Sequence, residues 1–335
     1  MKKMLVTIPE GDVRSTFLPK HIQERLNSLF DTTYNDTGRQ FTKQELQTLL
    51  PQYDAVLTGW GTPMLSAEVL QGNQRLQLIV HTGGSVGNLV DAYVYENGIR
   101  VFSGNQLYAE SVAEGAIAYM LMAQRRLPYY LDRVQEGYWR TEADVWEGLL
   151  DKTVGIIGIG TISTILIRML QVFRVKIKVY SRHEIPEELI SQYHVQPASL
   201  EEIFSTCDIV SIHSSLNSQT RGGIRREHFR LLKENALFLN TARGDVLDEE
   251  DLIAELKTGR FRAVLDVYHR EPLPADSPLR TLPNVYAIPH MAGPTLDRRP
   301  YITEALLREA ERFFQGETDF SLEISRNSAS RMTKM

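Results

Sequence analysis

Gly158-Ile159-Gly160-Thr161-Ile162-Ser163 follows directly on the apolar run Val154-Gly155-Ile156-Ile157. Such a pairing suits the binding of a pyrophosphate. The run reads as a strand buried on both faces. The two glycines allow a tight turn and close approach of the backbone to an anion, and the apolar stretch from Thr161 to Leu170 opens a helix whose first N–H groups face that anion. A third small residue belongs where the helix packs on the strand, and here it is Ser163 instead of glycine. Glycine turns that bind nothing share this pattern, so the elements around it decide its meaning.

Those elements alternate. Strand-like segments recur at Val175–Tyr180, Asp208–His213, Ala236–Asn240, Ala263–Val267 and Val285–Ile288, separated by amphipathic stretches such as Glu249–Lys257, which Thr258-Gly259 closes. Strand alternating with helix predicts a parallel sheet covered on both faces. Ligands of such sheets sit outside the carboxyl ends of the strands, where the strand order reverses. Ser181, His213, Arg243, Asp266 and His290 all fall at or just past strand ends, so the polar residues collect on one rim.

The bulk properties set further bounds. A chain of 335 residues suffices for two domains with buried cores. A net charge of −5, with no basic run, argues against a nucleic-acid surface. The single cysteine, Cys207, cannot form an internal disulfide and suits a reducing cytoplasm. The apolar stretch before Pro9-Glu10-Gly11-Asp12 is too short for a signal peptide, and nothing approaches a membrane span. No metal is expected. In the N-terminal hundred residues Met4–Ile8, Ala55–Thr58 and Leu76–His81 read as strands and His21–Phe30 as a helix. The tail from Ser325 is polar and reads as frayed.

Three motifs make the chain recognisable: Asn240-Thr241-Ala242-Arg243-Gly244-Asp245, then Leu265-Asp266-Val267 running to Glu271-Pro272, then Ile288-Pro289-His290-Met291-Ala292-Gly293. With Gly84-Ser85-Val86-Gly87 and Glu110-Ser111-Val112-Ala113-Glu114 upstream, they resemble, in order, the D-isomer-specific 2-hydroxyacid dehydrogenases. The resemblance covers roughly residues 75 to 300. It implies two doubly wound parallel-sheet α/β domains with a cleft between them: a Rossmann cofactor domain over 105–293 and a flavodoxin-like substrate domain made of 1–104 and 294–335. Sequence alone suggests two consecutive domains.

The resemblance also assigns roles. His290 matches the acid/base residue; a hydride arriving at a 2-oxo carbon leaves an alkoxide that an imidazole can protonate. Glu271 would accept from the other ring nitrogen, fixing the tautomer and favouring the imidazolium. Related formate dehydrogenases carry an amide there, so Glu271 points to a 2-oxo acid. Arg243 offers a planar fork to a carboxylate and the adjoining carbonyl, and backbone N–H groups of Ser85 and Val86 would hold the carboxylate's other side. Each has a plainer alternative: a strand-end cap for His290, a solvated glutamate, an arginine paired with Asp245, and an ordinary glycine turn. Asp266 matches the residue facing the nicotinamide carboxamide. Gly158, Gly160, Thr161, Ile162, His213 and Thr241 complete the implied cofactor contacts. The segment His213-Ser214-Ser215-Leu216-Asn217 stands where the family usually has a proline after the third strand, and Arg174 where it usually has glycine. Trp60 lies on a strand-end loop that suits either the cleft or the core.

The end of the second cofactor-domain strand departs from the NAD pattern. An acid about twenty residues past the glycines normally binds both ribose hydroxyls. Here the chain reads Ser181-Arg182-His183, with no acid until Glu184. That favours NADPH over NADH, since Ser181 and Arg182 can donate to a 2′-phosphate. The aromatic-rich stretch from Glu110 to Trp146, with Tyr119, Tyr129, Tyr130, Tyr138, Trp139 and Trp146, predicts a homodimer. The implied activity is that of a glyoxylate/hydroxypyruvate reductase. A phosphoglycerate dehydrogenase-like enzyme and a non-enzymatic NAD(H)-sensing protein of the same fold are the two rivals.

Overall fold

The structure, a computed structural model, describes residues 1–333. The chain forms two compact units, one of Met1–Tyr108 with the chain from Pro294 onward, the other Ala109–Gly293. The first crossing falls at Tyr108–Ala109, inside the continuous helix Asn105–Gln124, so no linker marks it in the sequence.

The first unit is a five-stranded parallel sheet of β1 (Lys2–Pro9), β2 (Phe30–Asn35), β3 (Ala55–Thr58), β4 (Leu78–His81) and β5 (Arg100–Ser103), in the order β2-β1-β3-β4-β5. Alternation along β1 sends Met4, Val6 and Ile8 to one core with Ile22, Leu26, Ile302 and Leu306, and Leu5 to another with Leu46, Val69 and Val94. Both faces are covered, as a parallel sheet requires. The sequence reading gives Phe30 to a helix and misses β2 and β5. β2 (Phe30-Asp31-Thr32-Thr33-Tyr34-Asn35) is a polar edge strand with little apolar signal, and β5 is only Arg100–Ser103.

Over residues 325–333 the tail is not frayed, and the last two residues of that expectation lie outside the described ones. Ser325 caps a short helix, Arg326–Arg331, by accepting from the Ser328 N–H, and Ile324 and Ala329 are buried in the second core. The side chain at an N-cap outweighs the polar composition here.

The second unit is a seven-stranded parallel sheet of β6 (Thr153–Ile157), β7 (Lys176–Tyr180), β8 (Gln196–Pro197), β9 (Ile209–Ile212), β10 (Leu237–Asn240), β11 (Arg262–Leu265) and β12 (Val285–Ala287). Its order, β12-β11-β10-β9-β6-β7-β8, reverses beside β6. The crevice for a ligand therefore opens where β6 meets β9, at the end of which the glycine turn begins. Arg174 takes the left-handed conformation that a glycine would favour, at φ 52°, and pairs with Asp151. Among the described residues, no helix is long and apolar enough to cross a membrane.

Candidate active site

The glycine turn has the geometry of a phosphate cradle. Gly158 has φ 100°, and a Cβ there would lie 2.7 Å from the Ser214 nitrogen, so only glycine fits between β6 and the chain leaving β9. Gly160 precedes the helix Thr161–Leu170, and a Cβ on it would meet nothing within 4 Å. Ser163 does more than pack: its Oγ accepts from the Gly160 N–H at 2.8 Å and lies 3.1 Å from the Gly160 carbonyl. That withdraws the Gly160 N–H from an anion. The N–H groups of Thr161 and Ile162 remain, which the first turn of a helix cannot satisfy internally.

Farther along the rim, Thr241 Oγ1 is buried without a hydrogen-bond partner at the end of β10. A buried hydroxyl left unpaired costs ~1–3 kcal/mol, and a bound polar group removes that cost. This orphan and the open cradle fit a dinucleotide. His213 does not join them through its ring. Its Nε2 lies 2.8 Å from Ser211 Oγ, and burial pushes its pKa down to about 4, so the ring is a neutral partner of a buried serine. Ser181 accepts from the His183 N–H at 3.0 Å, and the exposed Arg182 donates to the Gln219 carbonyl at 3.1 Å.

The acid/base residues come together. His290 Nδ1 lies 2.7 Å from Glu271 Oε2, and Glu271 Oε1 accepts from the Tyr268 N–H at 3.1 Å. One carboxylate thus orients the imidazole while the backbone orients the carboxylate. The Tyr268 hydroxyl lies 2.8 Å from the carbonyls of both Leu265 and Ile288, which fixes the chain leaving β11 against the chain leaving β12. His290 itself has φ 52°, a conformation costing a non-glycine residue ~1–2 kcal/mol. Its half-exposed ring leaves Nε2 as the nitrogen not committed to Glu271.

Arg243 is not the partner of Asp245. Asp245 is taken by His269 Nδ1 at 2.5 Å and by Arg221. Arg243 donates Nη1 to the Ala242 carbonyl at 2.6 Å, while its Nε is buried and unpartnered. Desolvation works against its charge, and the neighbouring Glu271 carboxylate partly restores it. Gly244 makes this turn possible, since a Cβ there would collide with the Tyr268 backbone. A guanidinium with an orphaned donor near a histidine–carboxylate pair is equipped to receive an anion.

Asp266 is 1% exposed, and its oxygens already accept from the N–H groups of Met291 at 2.7 Å and Ala292 at 3.0 Å, and from the Tyr119 hydroxyl at 3.2 Å. It holds the segment after His290 instead of presenting a free carboxylate. Tyr119 accordingly belongs to this network and not to an exposed aromatic surface. In the first unit the Val86 N–H donates to Met332 Sδ at 3.3 Å, and Ser85 Oγ lies 3.4 Å from the Thr333 carbonyl. Trp60, 43% exposed, packs edge-on against Phe17 and Tyr108 beneath the Arg299 guanidinium.

A reversed parallel sheet with this cradle and an Arg–Glu–His rim defines a dinucleotide-binding α/β protein. Residues 117–292 match the family model described as D-isomer specific 2-hydroxyacid dehydrogenase, NAD binding domain. The chain belongs to that family, whose cofactor is a nicotinamide dinucleotide. It is 31% identical to the hydroxypyruvate reductase of Thermotoga maritima over 78% of this chain and 85% of the relative. It is also 31% identical to the D-3-phosphoglycerate dehydrogenase of Methanocaldococcus jannaschii, over 82% of this chain but only about half (52%) of that longer protein. A phosphoglycerate oxidoreductase from Rhizobium etli shares the fold, with a TM-score of 0.82 at 24% identity over 98% of this chain and 100% of that one.

Proposed function

We propose that the protein reduces small 2-oxo acids to D-2-hydroxy acids with NAD(P)H, glyoxylate and hydroxypyruvate being the first candidates. The observation that carries this is the His290–Glu271 pair at 2.7 Å, with the orphaned guanidinium of Arg243 beside Glu271. When bound, the dinucleotide supplies the hydride for the substrate's carbonyl carbon. Arg243 takes the carboxylate and the neighbouring carbonyl oxygen, drawing charge toward that oxygen. His290, with Nδ1 held by Glu271, gives its Nε2 proton to the alkoxide as it forms and recovers a proton in the reverse direction. The Thr161 and Ile162 N–H groups would hold the pyrophosphate, and Thr241 would offer its unpartnered hydroxyl. Within the first unit, the Val86 N–H donates to the Met332 thioether, a weak acceptor, so it is available to a carboxylate. Steady NADPH oxidation with a panel of 2-oxo acids tests this reading, and a protein that binds the dinucleotide but turns over none of them is a sensor instead.

NADPH is the favoured cofactor in this reading. Ser181 and Arg182 occupy the place where an acid selects NAD, and a charge-assisted hydrogen bond is worth about 1.5–3 kcal/mol. Arg182→Ala is therefore expected to lower kcat/KM for NADPH roughly tenfold or more and to leave NADH unaffected, while Ser181→Asp should flatten or reverse the preference. Equal losses with both cofactors, measured side by side, would remove Arg182 as the phosphate reader.

Homodimerisation is the second expectation. The helix Leu127–Gln135 buries no residue, and Leu131, Val134 and Trp139 are 64%, 54% and 76% exposed. A second copy covering this surface accounts for so much exposed apolar area. Light scattering at micromolar concentration should give twice the chain mass; a monomer mass sinks the idea. Cys207 is buried and its thiol is pushed up to about 11, so it is inert, in keeping with a cytoplasmic protein.

A further inference from the structure

The helix Asn105–Gln124 touches the acid/base segment at two places one turn apart. At Gly115 a Cβ would lie 3.2 Å from both the Cα and the carbonyl oxygen of Ala292, so the helix backbone and the segment after His290 are in close approach. At Tyr119, on the same helix face, the hydroxyl reaches Asp266 Oδ1 at 3.2 Å. Asp266 bridges that hydroxyl to the His290 segment through two backbone donors, Met291 N–H on Oδ1 and Ala292 N–H on Oδ2. Gly115, Tyr119, Asp266, His290, Met291 and Ala292 all lie within the second unit.

His290 needs that support. Its left-handed backbone is intrinsically disfavoured, and the ring must be held against Glu271 with Nε2 outward. The His290 N–H is satisfied locally by the Ile288 carbonyl at 3.0 Å. What fixes the chain beyond it is the Asp266 carboxylate, and a buried carboxylate is a dependable anchor only while its own lone pairs stay filled. Tyr119 fills one of them. Burial and the nearby Asp266 charge hold the Tyr119 hydroxyl well above its ordinary pKa, so it stays a donor throughout the working pH range.

We propose that Tyr119 is a positioning residue for the acid/base step, acting on His290 through the Asp266 carboxylate and the Met291–Ala292 backbone. The proposal rests on the reading of His290 as the acid/base group. It gives Asp266 a role in holding the histidine segment.

A double-mutant cycle tests it. Tyr119→Phe keeps the ring and removes the hydroxyl, and is expected to lower kcat about tenfold, less than the ~100-fold that a ~1 Å misplacement can cost. NADPH affinity, read by its fluorescence on binding, and KM for hydroxypyruvate should stay within about twofold. In a His290→Ala background the same substitution should change kcat no further, because the group it positions is gone. Asp266→Asn should repeat the pattern more strongly. An equal fold-loss from Tyr119→Phe in both backgrounds, or a loss of NADPH affinity with kcat kept, would overturn the proposal. Full activity in His290→Ala alone refutes the acid/base reading itself, which the cycle detects separately.

Discussion

Replacing His290 with alanine is expected to lower kcat by about 100-fold or more, the usual scale for losing a general acid. The expectation comes from the ring's connections. Nδ1 is committed to Glu271 at 2.7 Å, and Glu271 is itself held by the Tyr268 N–H, so the imidazole has one tautomer and one orientation. Nε2 alone is left to exchange a proton with substrate. Affinity for the dinucleotide should be unchanged, because the cradle at Gly158–Ile162 lies on another strand end. Glu271→Gln keeps a hydrogen-bond acceptor for Nδ1 but weakens a charge-assisted contact, so it should cost less, about tenfold. Near-wild-type turnover in His290→Ala, measured with saturating cofactor, would show that the proton comes from elsewhere.

Arg243→Ala should be comparably damaging, with a different kinetic signature. The guanidinium is part-buried and has a buried Nε without a partner, an arrangement that an anion would complete. Losing a bidentate, charge-assisted contact of about 3 kcal/mol predicts a fall in kcat/KM on the order of 100-fold, mainly through KM. Arg243→Lys keeps the charge but not the fork and should recover only part of the loss. If KM for 2-oxo acids were unaffected in Arg243→Ala, the guanidinium would have to be assigned to structure alone, despite Asp245 being taken by Arg221 and His269.

The sequence made most of the second unit's strands legible because they are buried, while β8, two exposed residues at the sheet edge, was missed. Val154–Ile157, Ile209–Ile212 and Leu237–Asn240 have cores on both sides and therefore carry dense apolar signals. β2 and the helix at Arg326–Arg331 escaped notice because edge pairing and one capping serine stabilise them, and neither leaves an apolar pattern. At the site, residue types and motif order brought forward Arg243, Glu271 and His290, but not what each carboxylate is bonded to. Asp266 shows the gap: its sequence context says strand end, while its three donors come from Tyr119, Met291 and Ala292, the first of them far away in sequence. His213 is similar, since its position past β9 suggested the cofactor while its ring turns back to Ser211. Tyr119 could have been found only through its place four residues after Gly115 on one helix face, a spacing that means nothing until the partner segment is known.

The central claim is that this rim reduces the carbonyl of a 2-oxo acid with one stereochemical outcome. Its most direct test is to incubate the purified protein with NADPH and hydroxypyruvate, follow cofactor oxidation, and resolve the glycerate formed by chiral chromatography. Oxidation of one NADPH per glycerate, with the D-enantiomer alone as product, is the predicted result. L-glycerate, or no cofactor oxidation with hydroxypyruvate, glyoxylate or any other 2-oxo acid supplied, would contradict the account.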